Sequence, residues 1–232
     1  MEFVVPEEIL KDPKLAKWVR EHGLIDDNSW KRPKDPFHSL IRSIIYQQVS
    51  GKAAASILKK FKRLFGNKFP TPLEVLAKAD EELRSAGLSG QKARYIRDLA
   101  QKFHDHTIEP RKFPRMTNEE IIEHLTRVKG IGVWTAHMFL IFTLKRPDIL
   151  PTLDLGVRKG FQVVYHLRKM PSHEQMEKIA TPWRKHASLA SLYLWRLADR
   201  SKPEKKKLTM NSETPMSSDI FSTLNTPQKK DL

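Results

Sequence analysis

The chain of 232 residues contains no cysteine. This absence excludes disulfide bonds, thiolate zinc sites and iron–sulfur clusters held by cysteine. The histidines show no metal-binding spacing either: His104 and His106 lie only two apart, and the HExxH motif is absent. We therefore expect no metal as a catalytic ligand.

Long apolar runs are also absent. No stretch approaches the roughly 18 apolar residues of a membrane-spanning helix, and the first residues do not form a signal-type start. We therefore expect an intracellular protein that does not contact a membrane. The 39% of hydrophobic residues is nevertheless enough for a folded core.

Acidic side chains are few relative to basic ones. The chain has 27 Asp and Glu against 42 Lys and Arg, a formal net charge of +15. Most of this excess lies in residues 1–200 rather than in the tail. A solubility surface would account for some of it, but an excess of this size on a folded region favours a polyanionic partner such as nucleic acid.

The apolar periodicity and the capping residues indicate helices joined by short loops, with no alternating strand and no internal repeat. Asp12-Pro13, Asp35-Pro36 and Thr71-Pro72 are typical helix starts. The predicted helices cover about 13–22, 36–49, 51–65, a short stretch after Thr71, a segment capped by Asp80, 91–104, a segment after Thr117, 133–144, a segment after Asp154, and 183–197.

From Ser201 onward Lys, Ser, Thr, Pro and Asn replace the periodic pattern. Residues 201–232 therefore lack the apolar content for a core, and we predict a disordered polar tail. A small partner-binding helix around Ile220, Phe221 and Leu224 is the alternative.

The segment Val128-Lys129-Gly130-Ile131-Gly132 resembles a loop between two helices. Its glycines permit positive φ or a close approach of another backbone. A helix start then exposes amide N–H groups at the positive end of the dipole, which suits a phosphate oxygen, and a monovalent cation could bridge the loop carbonyls to that phosphate. A simple helix–turn–helix corner with a glycine cap is the alternative. We expect the loop to bind DNA without reading its sequence.

Five motifs in order make a more specific pattern. They are Leu40 to Ala55 with Gln47-Gln48, Gly87 to Ala93, the loop at 128–132, Asp154, and the segment from Trp183 to Trp195. Over roughly residues 10–198 the chain resembles the helix-hairpin-helix-GPD DNA glycosylases, in the AlkA-like branch of 3-methyladenine DNA glycosylase II.

This resemblance implies an all-α fold with two interleaved helical lobes over residues 1–200. The β-rich N-terminal domain of some relatives is not matched, since the first thirty or so residues are too few and are predicted to be helical. The cleft between the lobes would hold Asp154, Trp134 and Trp195.

Members of the family use one Asp at the start of the helix that follows the hairpin, and Asp154 lies at the matching position. A helix start favours the charged carboxylate, which would face the sugar as oxocarbenium charge develops. It would also orient or activate water. An Asp before a helix is otherwise just an N-cap, and both roles are compatible. Many relatives have two consecutive acids where this chain has Leu153-Asp154.

The base pocket is implied by aromatic positions. Bifunctional relatives carry a Schiff-base lysine where this chain has Trp134, so the resemblance implies a monofunctional hydrolase with Trp134 on the pocket wall. Trp195 matches another pocket aromatic, suited to electron-poor alkylated purines. Core packing is the alternative for Trp134. Tyr46 and Met138 are weaker candidates, for which core packing is the better interpretation.

The turn Gln48-Val49-Ser50 lies where family members place a wedge that fills the stack after base flipping, although none of its residues is a bulky aromatic. Basic residues near the predicted DNA-facing loops are candidate phosphate contacts, with a solvated surface as the alternative for each. They are Lys52, Lys92 and Arg94.

The sequence thus predicts a monomeric, monofunctional glycosylase that needs no cofactor and acts on alkylated purines in double-stranded DNA. The first alternative is a non-catalytic DNA-damage binding protein of the same fold. A glycosylase for oxidised or mispaired bases is disfavoured by the missing lysine and the absence of cluster cysteines.

Overall fold

Our computed structural model describes residues 5–23 and 35–200. Throughout these residues the regular elements are helical and no strand occurs, which confirms the all-α class. Within the described part of the chain, no helix is long and apolar enough to cross a membrane. The predicted disorder of the tail and the alternative helix around Phe221 lie outside the described residues.

The chain divides into two compact units. Among the described residues, the first unit contains 5–23 and 144–200, and the second contains 35–143. In chain order the elements are α1 (Glu7–Leu10), α2 (Pro13–His22), α3 (Pro36–Tyr46), α4 (Gly51–Arg63), α5 (Pro72–Ala77), α6 (Asp80–Ser85), α7 (Gly90–His104), a 3₁₀ turn (Pro110–Arg115), α8 (Asn118–Thr126), α9 (Val133–Phe139) with a π-type continuation (Leu140–Leu144), α10 (Leu155–Val164), α11 (His173–Ala180), a 3₁₀ turn (Thr181–His186) and α12 (Ala187–Arg200).

Helix starts follow the predicted capping chemistry. Asp12 accepts backbone N–H groups at the start of α2, and Asp35 accepts one at the start of α3. Both helices have Pro at the first helical position. Thr117 begins α8 with a complete capping box, because Glu120 reaches back to its backbone N–H at 2.7 Å. These local hydrogen bonds satisfy amide groups that a helix leaves without an intrahelical partner.

Several predicted boundaries are wrong. Helix α3 ends at Tyr46 rather than at 49, because Gln47 is extended and Gln48 has a φ of +54°. Asp80 does not cap α6: Ala79 occupies that position, and Asp80 instead accepts a hydrogen bond from Arg97 at 2.8 Å. The last helix begins at Ala187, since Trp183 lies in the preceding 3₁₀ turn with non-helical dihedrals.

The core of the second unit forms around α3 and α7. Helix α3 packs against α4, α7 and α9, while α5 and α6 pack against α7. The rings of Phe113 and Phe139 meet edge to face at 5.8 Å in the same core. Apolar burial of this kind supplies most of the stability of such short helices. The fully buried side chains include Leu40, Ile41, Ile44, Ile45, Phe61, Leu83, Ile96 and Leu99.

A buried carboxylate organises the first unit. One oxygen of Asp12 accepts the backbone N–H groups of Lys14 and Leu15, both at 3.0 Å. The other accepts the Tyr165 hydroxyl at 2.6 Å and the Trp183 indole N–H at 3.2 Å. Because four donors surround the charge, its burial is compensated. The network ties α2 to the end of α10 and to the last 3₁₀ turn.

We expect Tyr165→Phe to lower the free energy of unfolding by about 1–2 kcal/mol near neutral pH, because a hydrogen bond to a charged acceptor is lost. Burial, followed by the hydrogen bond to Asp12, raises the pKa of Tyr165 above its ordinary value. Because the pKa of the Tyr165 hydroxyl is higher in the folded than in the unfolded state, its contribution to stability is fully present below the unfolded pKa of about 10. This contribution is lost as the pH rises further. In urea unfolding, the difference between wild type and variant should therefore shrink above about pH 10. A difference that stays constant there would contradict this account.

Candidate active site and DNA interface

Asp154 lies at the start of α10 in the first unit, as the motif predicted. It is only 1% exposed and is the N-cap of the helix. Its Oδ1 accepts the backbone N–H of Val157 at 2.8 Å and the indole N–H of Trp195 at 2.6 Å. Two donors on one oxygen fix the orientation of the carboxylate, and the helix start favours its negative charge.

Two glycines of α10 allow this arrangement. A Cβ at Gly156 would lie 2.8 Å from Cδ1 of Trp195 and 3.1 Å from Oδ1 of Asp154. A Cβ at Gly160 would lie 2.5 Å from the backbone oxygen of Leu194. Only glycine therefore lets α10 and α12 approach closely enough for the indole to reach the carboxylate. Neither glycine was predicted from the sequence as part of the site.

The buried carboxylate is flanked by exposed apolar side chains. Leu153 is 46% exposed and Leu155 is 50% exposed. Both chain neighbours of Asp154 are therefore uncharged. An exposed pair of leucines beside a functional group suits contact with an apolar or partly apolar ligand surface.

The hairpin, which consists of α8, the loop at 128–132 and α9, belongs to the second unit. Helix α8 ends before a loop in which Gly130 has a φ of +82°, and Gly132 is the N-cap of α9 without a side-chain cap of its own. A Cβ at Gly130 would overlap the ring of Tyr95, so this position requires glycine for both its φ and its space. The side chain of Ile131 is buried, so the predicted contact of this residue with DNA would be made by its backbone.

Two side chains of helix α7 contact the hairpin loop. The backbone N–H of Lys129 donates to Oδ2 of Asp98 at 2.8 Å, and Oδ1 of Asp98 pairs with Lys102 at 2.7 Å. Together with Tyr95, Asp98 thus fixes the loop conformation. Sequence reasoning missed both residues; their spacing of three on α7 placed them on one helical face, but nothing local indicated what they touch.

The connection between α3 and α4, residues 47–50, contains the predicted wedge residues 48–50 and is called the wedge turn. Gln48 is exposed and has a left-handed backbone, and Val49 is half-buried. Ser50 is exposed and its hydroxyl accepts the N–H of Ala53 at 3.3 Å, so it caps α4. Strained non-glycine backbone persists only where its surroundings hold it in place, and it is frequent at functional sites.

The candidate phosphate contacts differ in their surroundings. Lys52, Arg94 and Lys129 are exposed. Lys92 is half-buried instead, and its ammonium donates to the carbonyl oxygens of Ile45 at 2.8 Å and Gln47 at 2.7 Å. Burial lowers the pKa of the Lys92 ammonium below its ordinary value. Contact with phosphate stays a prediction for all four.

The pocket candidates are described within their own units. Trp134 is half-buried in the first turn of α9, and Met138 is buried on the same helix. Tyr46 is 4% exposed at the end of α3, with the Arg42 guanidinium 4.2 Å from its ring centre. Trp195 is 5% exposed. Their contact with a base, like a cation at the hairpin loop, stays a prediction.

The described residues are helical throughout their regular elements and include both a glycine-containing hairpin loop and a buried carboxylate at a helix start. A family model described as "HhH-GPD superfamily base excision DNA repair protein" matches residues 41–185. The chain belongs to the HhH-GPD superfamily, which confirms the family predicted from its motifs. It is therefore a DNA-binding protein and a DNA glycosylase of base excision repair.

The relatives are similar in sequence and in structure. The chain is 36% identical over 204 residues to DNA-3-methyladenine glycosylase 1 of Schizosaccharomyces pombe, covering 84% of this chain and 88% of that protein. The structure of the 3-methyladenine DNA glycosylase of the same yeast in complex with abasic DNA has a TM-score of 0.74 at 30% identity, covering 86% of this chain and 100% of the other. A DNA-3-methyladenine glycosidase from Bacillus halodurans gives 0.75 at 31%, covering 83% and 88%.

Proposed function

We propose that the protein is a monofunctional glycosylase that flips alkylated purines, of the 3-methyladenine or 7-methylguanine type, out of duplex DNA and hydrolyses the N-glycosidic bond. The observation that carries this proposal is the buried carboxylate of Asp154, whose Oδ1 is held by Val157 and Trp195. A fixed negative charge stabilises a cationic transition state without reorganisation. The names of the relatives support the choice of alkylated bases.

The chemistry balances with one carboxylate and one water. As the bond between C1′ and the base nitrogen breaks, the bonding electrons leave with the base and positive charge develops on the sugar, beside the negative Asp154. An alkylated purine that is already cationic leaves as a neutral base, so no general acid is needed to protonate it. Water then adds to C1′ and releases a proton to the solvent, which leaves an abasic site. Asp154 orients this water.

Trp134 supports the absence of lyase activity. Bifunctional relatives place a lysine at this position, and its amine forms a Schiff base with the sugar. An indole cannot form that bond. The hairpin loop supports binding to duplex DNA through backbone N–H groups and the start of α9, which suit phosphate. We propose that the protein acts on this substrate as a monomer.

The direct test is single-turnover base release from a duplex with one 7-methylguanine or one 3-methyladenine. We expect release of the free base, strand breaks only after alkali, and no covalent complex trapped by borohydride. Breaks without alkali would show a lyase and overturn the monofunctional assignment. Binding to the lesion without release would instead support a damage-binding protein, and a lesion-dependent increment in affinity that persists at high salt would identify a base pocket.

We expect Trp195→Phe to lower kcat about tenfold with little change in KM, because the aromatic face remains while the N–H donated to Asp154 is lost. Trp183→Phe is the matched control: it removes the indole N–H donated to Asp12 in the same unit. The control should lower stability and leave kcat of the folded enzyme unchanged. A rise in KM at constant kcat in Trp195→Phe would mean that Trp195 acts only by stacking on the base.

A further inference from the structure

One face of α7 contacts both loops that the proposed function assigns to DNA. Lys92, Tyr95 and Asp98 follow one another at a spacing of three, so they project from the same side of the helix. Lys92 binds the wedge turn, whereas Tyr95 and Asp98 contact the hairpin loop. All these residues lie in the second unit. A single rigid helix therefore supports the two loops.

The contact of Lys92 is well suited to fixing the wedge turn. Its ammonium donates to the carbonyls of Ile45 and Gln47, at the C-terminal end of α3. Carbonyl groups at a helix end lack intrahelical partners and carry the negative end of the dipole, so a cation there is stabilising. These two hydrogen bonds fix the position of the half-buried ammonium and of the backbone at the start of the wedge turn. The backbone immediately beyond it is the left-handed Gln48.

The wedge turn and the hairpin loop are also joined directly. The side-chain amide of Gln47 donates to the carbonyl oxygen of Gly130 at 2.8 Å, across 83 residues of sequence. Gly130 is the position at which the ring of Tyr95 leaves no room for a side chain. Gln47 therefore links the turn to the most constrained point of the loop.

From these contacts we propose that Lys92 and Gln47 are positioning residues that hold the wedge turn at a fixed distance from the hairpin loop. The exposed Gln48 then enters the base stack while the loop holds the DNA backbone. This inference rests on the proposed function, since it concerns the step in which a paired base is flipped. We therefore expect the contacts of Lys92 and Gln47 to have a large effect on the release of a base that is stacked and paired. Their effect on the release of a base that is already unpaired should be small.

The test compares two duplexes, each with one 7-methylguanine, paired with cytosine in one and mispaired with thymine in the other. In Lys92→Met, which removes the donors and keeps a similar length, we expect release from the paired duplex to fall about tenfold more than release from the mispaired one. Lys59→Met removes one exposed positive charge from α4 and should leave the ratio of the two rates at the wild-type value. Lys92→Arg, which keeps donors, should restore most of the ratio.

Gln47→Ala should shift the ratio in the same direction as Lys92→Met, which keeps the test decisive if Lys92→Met fails to fold. A merely structural role would lower the melting temperature and reduce both rates in proportion, and an unchanged ratio in Gln47→Ala or in a folded Lys92→Met would overturn the inference. Failure of the wild type to release base from either duplex would instead overturn the proposed function. The two failures are therefore distinguishable.

Discussion

Asp154→Asn is expected to reduce single-turnover base release about 10³-fold, the effect of removing a preorganised electrostatic stabiliser. Asn ranks with Asp as an N-cap residue, and its side-chain oxygen can still accept from Val157 and Trp195. The helix start is thus preserved while the negative charge beside the developing oxocarbenium is lost. The measurement is release of 7-methylguanine from duplex DNA, together with lesion affinity, which should persist.

The chain offers a close control for this substitution. Asp12 is also a buried helix N-cap in the first unit, and it too accepts an indole N–H, from Trp183. Asp12→Asn removes the same charge from a site that takes no part in the proposed reaction. It should lower the free energy of unfolding and leave base release by the folded protein at the wild-type rate. Near-wild-type release by Asp154→Asn would exclude the proposed role of Asp154.

Gly130→Ala is expected to weaken DNA binding at least about tenfold and to lower the free energy of unfolding by about 2–5 kcal/mol. The estimate combines a left-handed backbone, about 1–2 kcal/mol, with overlap in a packed site, about 1–3 kcal/mol. The backbone has a φ of +82°, and the added Cβ would overlap the ring of Tyr95. The loop must therefore shift, and its N–H groups lose their alignment toward a phosphate.

Two other glycines separate these contributions. Gly66→Ala imposes a φ of +65° on alanine but meets nothing within 4 Å, so it measures the backbone strain alone. Gly132→Ala meets nothing within 4 Å and has an ordinary φ of −96°, so it should lose much less stability than Gly130→Ala, its main cost being that alanine is a poorer N-cap than glycine. Melting curves and fluorescence anisotropy with undamaged duplex at several salt concentrations would measure both effects. Equal stability losses in Gly130→Ala and Gly66→Ala would show that Tyr95 does not limit the loop.

The sequence determined most helices and the location of the hairpin because the signals are local. Asp12-Pro13 and Thr117 with Glu120 carry their capping chemistry within four residues. The short helix α11 was not predicted, although Ser172 caps it and Met176 is buried. Six to eight residues contain too few turns for periodicity to stand out.

The sequence predicted which residues belong to the candidate site, but it did not predict the hydrogen bonds that those residues make. Asp154 followed from a motif, but its hydrogen bond to Trp195 joins residues 41 apart in sequence. Lys92 was predicted as a candidate phosphate contact because it lies at a helix start near a predicted DNA-facing loop, whereas the carbonyl groups that it contacts, of Ile45 and Gln47, lie at the end of α3. Contacts between distant segments depend on packing, which one sequence does not specify locally.

Asp154 affects both the stability of the fold and the proposed activity. Catalytic groups are often retained at the expense of stability, so that replacing them stabilises the protein. Asp154 is instead an N-cap that α10 uses, and losing such a cap costs about 1 kcal/mol. Under the proposed function, stability and base release therefore favour the same residue, and a change at this position that loses both the cap and the charge should impair both. Asparagine separates the two effects, because it keeps the cap and removes the charge.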